Sequence, residues 1–272
     1  MMKLNFVFLI VALIIHLSQA SEGDFQKYNN DSNFKIVSVI KRNSTCYTQG
    51  LLYDDSFKVF LESCGLYHQS SIRMYFDSTF SSKKEVFLPT SYFGEGIGKC
   101  QNMYYQLTWR EKKVIKYTRS LQYIKTLSLP SPIKEGWGLS STVNPNELIL
   151  TDGSDKIYWV DCTNSFEVIK QVEVTQEGKK VSKLNDLVYA EGYIWANQYL
   201  SSYIYKIDYL SGKVVNRYDM ENIINYEFDQ KTLTANRLHG GDVLNGITYL
   251  TRNNTFLITG KKWGFYYEII FN

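Results

Sequence analysis

The feature that most constrains this chain is an internal repeat of strand-turn-strand units. The clearest copy, LNDLVYAEGYIWAN at residues 184–197, places two β-forming segments on either side of the turn signal Glu191-Gly192. Five such units open on a polar or aromatic residue that precedes Gly, or Asp in the fourth unit: Gln49, Glu95, Trp137, Asn185 and Asn245. The openings are 46, 42, 48 and 60 residues apart. A period of this size predicts a repeat architecture.

Further strands complete each unit. Two more β-like segments follow each of the first four units, whereas only residues 264–271 follow the fifth. An alternating segment at residues 34–42, before the first unit, can supply the missing strand. We therefore predict an all-β, five-bladed β-propeller over residues 21–272, with strand 34–42 joining the C-terminal blade and closing the ring. A β-sandwich is the alternative, but it explains neither the repeat nor the extra strand.

The longest step between units contains an insertion at residues 221–242. Its sequence, ENIINYEFDQKTLTANRLHGGD, predicts a short helix and a loop. No strand pattern is interrupted by it, so the insertion lies between the fourth and fifth blades.

The first 20 residues predict a secretory signal peptide. A lysine precedes a short apolar run, and Ser18-Gln19-Ala20 provides a small-residue cleavage site. An uncleaved signal anchor is the alternative. A secretory or extracellular location makes the four cysteines disulfide candidates, although free thiols are possible and three pairings are open: Cys46, Cys64, Cys100 and Cys162. Three N-x-S/T sequons fit a glycosylated surface: Asn30, Asn43 and Asn253.

Charge and hydropathy exclude two kinds of partner. The formal net charge is +3 and there is no basic stripe, so nucleic acid is not an expected partner. After the signal peptide, no apolar stretch approaches the roughly 20 residues that a membrane-spanning helix needs, so no membrane partner is expected. We expect the mature chain to be a monomer.

Propeller geometry predicts where chemistry can occur. The first residues of the five inner strands meet at one mouth of the central channel, and the ends of the second strands return to the same mouth. Those second-strand ends add further polar and aromatic side chains: Glu62, Trp109, Asp152, Tyr199 and Lys261. A pocket with apolar walls and a few convergent polar groups is typical of a small-ligand site.

An ordered series of motifs resembles the plant and bacterial type of glutaminyl cyclase, the glutaminyl-peptide cyclotransferases. The series covers nearly the whole mature chain: YTQGL (47–51), ESCGLYHQSSIR (62–73), FGEG (93–96), QLTW (106–109), EGWGL (135–139), LND and IWAN (184–197), LNGI (244–247) and TGKKW (259–263). The resemblance implies a five-bladed propeller that converts an N-terminal glutamine of a peptide or protein to pyroglutamate and releases ammonia.

The resemblance also implies catalytic roles. The FGEG glutamate, Glu95, corresponds to the general acid/base. The TGK lysine, Lys261, and the LND asparagine, Asn185, correspond to the groups that contact the carbonyl oxygen as negative charge develops on it. Taken alone, each residue has a plainer interpretation: Glu95 as a turn acid held by backbone amides, Lys261 as a solvated surface lysine, and Asn185 and Asn245 as caps of the inner strands.

Four further positions are implied to bind substrate. The TQG glutamine, Gln49, corresponds to a substrate contact, and Trp109 and Trp137 correspond to pocket walls. A tryptophan that is usual in the family is Tyr199 here, which keeps an aromatic wall, adds a hydroxyl and puts the substrate preference in doubt. Trp195 is expected in the core instead.

No cofactor or metal is implied. His68 and His239 are the only histidines after the signal peptide, and neither has an acidic partner at a zinc-ligand spacing. The alternative functions are a non-catalytic secreted propeller that binds peptide N-termini or glycans, and a hydrolase propeller with calcium-binding acids in its channel. Only Glu95 opens an inner strand as an acid, which disfavours the hydrolase.

Overall fold

A computed structural model describes residue 28, residues 31–43 and residues 45–272. The predicted signal peptide, residues 1–20, and the sequon at Asn30 lie outside this part of the chain. The sequon asparagines Asn43 and Asn253 are exposed. No helix among the described residues is long and apolar enough to cross a membrane.

Five four-stranded antiparallel sheets form the blades. Blade 1 contains β2 (Thr48–Asp54), β3 (Val59–Cys64), β4 (Ser71–Phe76) and β5 (Ser82–Phe87). Blade 2 contains β6 (Gly94–Cys100), β7 (Met103–Thr108), β8 (Lys113–Thr118) and β9 (Tyr123–Ser128). Blade 3 contains β10 (Leu139–Ser141), β11 (Glu147–Thr151), β12 (Lys156–Asp161) and β13 (Val168–Glu173). Blade 4 contains β16 (Leu184–Ala190), β17 (Tyr193–Gln198), β18 (Tyr203–Asp208) and β19 (Val214–Asp219).

The fifth blade joins the two ends of the described chain. It contains β20 (Leu244–Leu250), β21 (Thr255–Gly260), β22 (Phe265–Phe271) and, as its outer strand, β1 (Phe34–Lys41). β1 pairs antiparallel with β22, with Phe34 opposite Phe271 and Lys41 opposite Phe265. The inner strands contact one another in the order β2, β6, β10, β16, β20 and back to β2. The predicted five-bladed ring and its closing strand are therefore confirmed.

Two short segments with regular structure lie outside the blades among the described residues. The insertion between β19 and β20 forms α1 (Glu221–Asp229) and α2 (Ala235–His239), so the predicted single short helix is in fact two. A hairpin of β14 (Thr175–Gln176) and β15 (Lys179–Lys180) follows blade 3 and turns at Gly178, whose φ is +76°. Strands of two residues carry no readable alternation, which is why the sequence did not predict this hairpin.

Apolar side chains between neighbouring sheets form the core. Trp195 is fully buried and stacks on Tyr218 and Phe271, with Phe256 against its ring, between blades 4 and 5. The expectation that Trp195 belongs to the core is confirmed. The outer strands are mostly exposed, so each blade buries its inner three strands most deeply.

Four of the five inner strands break their register at the residue that opens the repeat. The irregularities fall between residues 48 and 50, 94 and 97, 184 and 187, and 244 and 247. They therefore contain Gln49, Glu95, Asn185 and Asn245. An irregularity of this kind locally bends a strand and redirects a side chain, and such features are frequent next to functional sites. In blade 3, Trp137 instead precedes the start of β10 at Leu139.

The residue that follows each repeat-opening residue lies where neighbouring inner strands are in contact. A Cβ atom on Gly96 would lie 2.4 Å from the backbone nitrogen of Leu139, and one on Gly138 would lie 2.1 Å from the backbone oxygen of Asn185. Only glycine fits such contacts. In blade 4 the equivalent residue is Asp186, whose Oδ2 accepts hydrogen bonds from the backbone nitrogens of Leu51 (3.1 Å) and Ile247 (2.8 Å). Glycine contacts and this carboxylate thus join the inner strands around the channel.

Two disulfides fix the pairing that the sequence left open. Cys46 bonds to Cys64 within blade 1, on the face where the inner strands begin. Cys100 bonds to Cys162 and joins blades 2 and 3 on the opposite face. Each bond therefore restrains a different end of the propeller.

A buried ion pair reinforces the closure of the ring. Arg42, directly after β1, donates to Glu62 of blade 1 at 2.6 Å, and both side chains are almost fully buried. Glu62 also accepts hydrogen bonds from Tyr75 (3.1 Å) and from Tyr266 of blade 5 (3.0 Å). Arg42 also donates to Thr259 Oγ1 at 3.2 Å. The pair thus links blade 5 to blade 1 at the seam.

We expect Glu62→Gln to lower the free energy of unfolding by about 3–5 kcal/mol, because it leaves the buried Arg42 charge without its counter-charge. Denaturant titration measures the loss. The matched control is Asp55→Asn, which breaks the exposed Lys58–Asp55 pair and is expected to cost at most about 1 kcal/mol. Equal losses in the two variants would show that the seam does not depend on this pair.

Candidate active site

A cavity of about 180 Å³ lies at the mouth where the inner strands begin. All seven residues proposed from the sequence line it: Gln49, Glu95, Trp109, Trp137, Asn185, Tyr199 and Lys261. Three more residues complete the lining: Tyr47, Leu66 and Phe93. The structure therefore brings the whole predicted set together, while the chemical role of each residue stays a prediction.

A carboxyl group and an amine share this cavity, and both are withdrawn from water. Glu95 is 5% exposed and Lys261 is 4% exposed. Burial raises the pKa of Glu95 well above its usual value; Lys261 opposes this shift, and nearby Glu135 and Asp186 add to it. Burial lowers the pKa of Lys261 to about 8, against the attraction of Glu95 and Asp242. An upward pKa shift of a buried carboxyl group is typical of groups that accept and return a proton in catalysis.

Glu95 is held by side-chain amides rather than by backbone amides. Gln49 Nε2 donates to Glu95 Oε1 at 3.2 Å, and Asn245 Nδ2 donates to Gln49 Oε1 at 3.1 Å. Asn197 Nδ2 donates in turn to Asn245 Oδ1 at 2.8 Å. These contacts orient Gln49 and Glu95 across four blades. They favour a functional over a turn-capping role for Glu95, and they agree with the structural role expected for Asn245.

Asn185 lines the cavity with an incompletely bonded side chain. Its Oδ1 is buried and has no hydrogen-bond partner among the described residues. Its backbone oxygen accepts from Thr151 Oγ1 at 2.8 Å, which holds the strand that carries it. Because buried polar atoms in folded proteins almost always have partners, an unpartnered amide oxygen at a cavity wall is suited to accept a hydrogen bond from a group that enters the cavity.

One glutamate positions both tryptophan walls. Trp109 Nε1 donates to Glu135 Oε2 at 2.6 Å, and Trp137 Nε1 donates to the same oxygen at 2.9 Å. The Trp137 ring lies against Gly153, where a Cβ would be 2.6 Å away and where φ is +77°. Arg110 covers the Trp109 ring at 3.9 Å from its centroid. Both indoles are therefore fixed before any ligand enters.

Two tyrosine rings enclose the amine. The Lys261 ammonium lies 5.0 Å from the Tyr47 ring centroid and 4.7 Å from that of Tyr199, within the range of cation–π contacts. Tyr199 in turn packs edge-on against Trp137, with centroids 5.8 Å apart. Lys261 is thus not the solvated surface lysine of the plainer interpretation. Tyr199 keeps the aromatic wall that the family's usual tryptophan would provide.

Some side chains that line or support the cavity were not predicted from the sequence. Glu135 opens the quoted EGWGL motif but was assigned no role. It binds two indoles that lie far apart in the sequence, and no residue spacing indicates that they meet. Tyr47 and Phe93 stood inside the quoted motifs but were assigned no role. Glu62 and Asp152, also expected around this opening, do not line the cavity: Glu62 is bound to Arg42 at the seam, and Asp152 accepts hydrogen bonds from Ser154 and Tyr158.

Metal-ligating side chains come together at one place among the described residues. Cys46, Glu62 and Cys64 have ligand atoms within 4.8 Å of one another. Both sulfurs are in the Cys46–Cys64 disulfide and offer no thiolate, and Glu62 is already bound to Arg42. This cluster is therefore a structural one.

Comparison with known proteins assigns this chain to a family. A family profile described as glutamine cyclotransferase matches residues 8–271. The chain belongs to the glutamine cyclotransferase family. A curated relative from Arabidopsis thaliana, a glutaminyl-peptide cyclotransferase, is 28% identical over 266 residues, which is 97% of this chain and 79% of the relative. The crystal structure of Myxococcus xanthus glutaminyl cyclase matches with a TM-score of 0.76 and 27% identity, over 88% of this chain and 96% of that one.

The family assignment confirms the resemblance stated from the motifs. The ordered motifs and the profile point to the same family over nearly the whole chain. The match to the Myxococcus xanthus structure also confirms the five-bladed fold. Membership in the glutamine cyclotransferase family makes the aromatic cavity, with its buried Glu95 and Lys261, the candidate active site.

We expect Glu95→Gln to gain stability relative to the native chain as pH rises above about 4.5, the usual glutamate pKa. Above that pH the unfolded carboxyl ionises freely, whereas the buried one holds its proton, so the native free energy of unfolding falls. In the Glu95→Gln variant this fall in the free energy of unfolding with pH is absent. Denaturant titrations at about pH 5 and about pH 8 measure the difference.

The control is Glu167→Gln, an exposed glutamate on the opposite face of blade 3, for which no such divergence is expected. If the native chain instead gained stability relative to Glu95→Gln over this range, pairing with Lys261 would outweigh burial, and the pKa of Glu95 would be lowered in the folded state.

Proposed function

We propose that this protein is a glutaminyl-peptide cyclotransferase, which converts the N-terminal glutamine of peptides or proteins to pyroglutamate and releases ammonia. One observation carries the proposal: in a chain of the glutamine cyclotransferase family, a buried carboxyl group, a buried amine and the Asn185 amide line one small aromatic cavity. The relatives' names, glutaminyl-peptide cyclotransferase and glutaminyl cyclase, support the same activity.

The reaction joins two ends of a single residue. The neutral α-amine of the substrate attacks the γ-amide carbon, a carbon–nitrogen bond forms, and a tetrahedral oxyanion results. Collapse of this intermediate breaks the bond to the amide nitrogen, which leaves as ammonia. The nucleophile and the electrophile belong to the same residue. When the cavity holds that residue in a folded conformation, much of the entropic cost of reaching the transition state is already met on binding. The cavity of about 180 Å³ fits one residue in such a folded conformation.

Glu95 moves the proton in this scheme. As a carboxylate it accepts a proton from the attacking amine, and as a carboxylic acid it gives that proton to the departing nitrogen. Such transfers are typically worth about 10²–10⁴ in rate. The raised pKa makes Glu95 a stronger base than an exposed carboxylate, and the hydrogen bond from Gln49 keeps the carboxyl group oriented.

Lys261 and Asn185 stabilise the oxyanion. Both line the cavity with Glu95, and removal of one donor from such a site typically costs about 10²–10³ in kcat. Trp109, Trp137 and Tyr199 exclude water and hold the glutamine side chain. Gln49 contacts the substrate while orienting Glu95. No covalent intermediate and no metal take part in this sequence of steps.

We place the mature enzyme in the secretory pathway or outside the cell, as a monomer. The signal peptide predicted from residues 1–20 and the two disulfides support this location, because such bonds persist in oxidising compartments. Its substrates are then secreted peptides or proteins with an N-terminal glutamine.

Glu95→Gln is expected to lower kcat by about 10²–10⁴ while leaving the fold intact, because an amide cannot carry the proton. The assay uses a synthetic peptide that begins with glutamine and measures ammonia and the loss of the free amine, with a chelator present. Circular dichroism checks the fold.

The Glu167→Gln variant serves again as the control and should retain native kinetics. Absence of ammonia from well-folded native protein would instead favour a propeller that only binds peptide N-termini or glycans. Near-native turnover by Glu95→Gln would reject Glu95 as the proton carrier, and loss of native activity on chelation would reject the metal-independent scheme.

We expect kcat of the native enzyme to fall as pH rises through about 8, because Lys261 loses its charge there. Lys261→Gln keeps a donor without the charge, so it should lower kcat by about 10²–10³ and abolish the alkaline fall. The neighbouring Lys262→Gln is the control, since Lys262 does not line the cavity. An unchanged alkaline fall in Lys261→Gln would assign it to another group.

A further inference from the structure

A second and larger concavity lies beside the candidate active site. It measures about 690 Å³ and is formed by the insertion helices together with the ends of blade 4 strands. β19 ends and β20 begins on the face where the catalytic cavity opens, so α1 and α2 are placed on that face. We call this concavity the insertion groove, and define it by Leu200, Asp219, Glu221, Phe228, Leu238 and Val243.

The insertion groove and the cavity share a wall. Tyr199 lines the cavity and the next residue, Leu200, lines the groove. Lys261 donates its backbone N–H to Val243 of the groove at 2.9 Å. The Tyr47 hydroxyl donates to the backbone oxygen of Gly241, two residues before Val243, at 3.3 Å. The lining of the cavity and the lining of the groove are therefore neighbours in the structure.

The size of the cavity requires a peptide substrate to extend beyond it. Its volume of about 180 Å³ is below the roughly 300–1,000 Å³ of ordinary ligand pockets, so it holds one residue and little more. The rest of a peptide substrate must lie on the surface next to it. The groove lies next to that rim, and its volume of about 690 Å³ is within the range of ordinary ligand sites.

The lining of the groove indicates what it binds. Phe228 and Leu238 are half-buried and Val243 is buried, and these side chains form an apolar floor. Asp219 and Glu221 add two carboxylates at one side; His239 also lines the groove, whereas no lysine or arginine does among the described residues. Neither carboxylate forms an ion pair within the part of the chain that the structure describes. The surface thus combines apolar contact with two carboxylates at the start of α1, where Asp219 Oδ1 also accepts a hydrogen bond from the backbone nitrogen of Glu221 at 3.1 Å.

We propose that the insertion groove binds the peptide segment that follows the N-terminal glutamine, and that it selects segments carrying a lysine or arginine beside an apolar residue. This inference rests on the proposed cyclotransferase function. The cationic side chain pairs with Asp219 and Glu221, and the apolar one packs on Phe228 and Leu238. The glutamine itself stays in the cavity, so the groove affects binding and not the chemical step.

The test compares three substrates: glutamine amide, a pentapeptide Gln-Leu-Arg-Leu-Ala and its counterpart with Ala in place of Arg. The native enzyme should show a lower KM for the arginine peptide, by about two- to fivefold per carboxylate, with kcat unchanged. In Asp219→Asn/Glu221→Gln this preference should disappear, and in Glu221→Lys it should invert. Glutamine amide, which reaches only the cavity, should be turned over equally by all variants. The preference should also weaken at high salt.

Controls separate the groove from general electrostatics. Glu167→Lys changes the same charge on the opposite face and should leave the arginine preference intact. Normal turnover of glutamine amide without an arginine preference, or with a preference that survives Asp219→Asn/Glu221→Gln, would overturn the groove assignment alone. Failure to turn over glutamine amide and both peptides would overturn the proposed function and, with it, the groove assignment.

Discussion

Close contact between the inner strands is the constraint on which the rest of the structure depends. Gly96 and Gly138 each face the next inner strand at a distance that no side chain could occupy. Asp186 takes the equivalent place in blade 4 and satisfies two backbone N–H groups from blades 1 and 5. Burial raises the pKa of this carboxyl group to about 8. The residue just before the contact is thereby directed to the mouth in four blades, as Gln49, Glu95, Trp137 and Asn185, whereas blade 5 contributes Lys261 from the end of β21.

The same narrow ring explains the electrostatics of the site. Because the mouth is walled by Trp109, Trp137 and Tyr199, the ionisable groups at its base lose most of their hydration. Burial disfavours the charged form of both Glu95 and Lys261, so their pKa values shift towards each other. Burial of two ionisable groups lowers the stability of the fold. Such a local conflict between burial and charge is typical of functional sites. The amide contacts through Gln49 keep the carboxyl group in place despite it.

Much of this could be read from the sequence because it depends on periodicity. The repeat predicted five blades, and the unmatched segment 34–42 predicted the closing strand, observed as Phe34–Lys41. The seven candidate residues line the cavity because strand direction sends strand ends to this mouth, and the resemblance to glutaminyl cyclases singled out these seven among them. What could not be read depends on side-chain direction and on contacts between blades. Glu135 under two indoles, the Asn197–Asn245 contact behind Gln49 and the Arg42–Glu62 pair at the seam all join residues without any fixed spacing.

The pairing of β1 with β22 also bears on how the molecule folds. Each of the first four blades consists of consecutive strands, so its hairpins can form locally and early. The fifth blade cannot be completed until Phe34 meets Phe271 from the far end of the described chain. Contacts so distant in sequence slow folding, and until they form the outer edge of β22 is an open template for other strands. A nascent chain therefore has a period of vulnerability to misassembly that ends only when this last pairing is made.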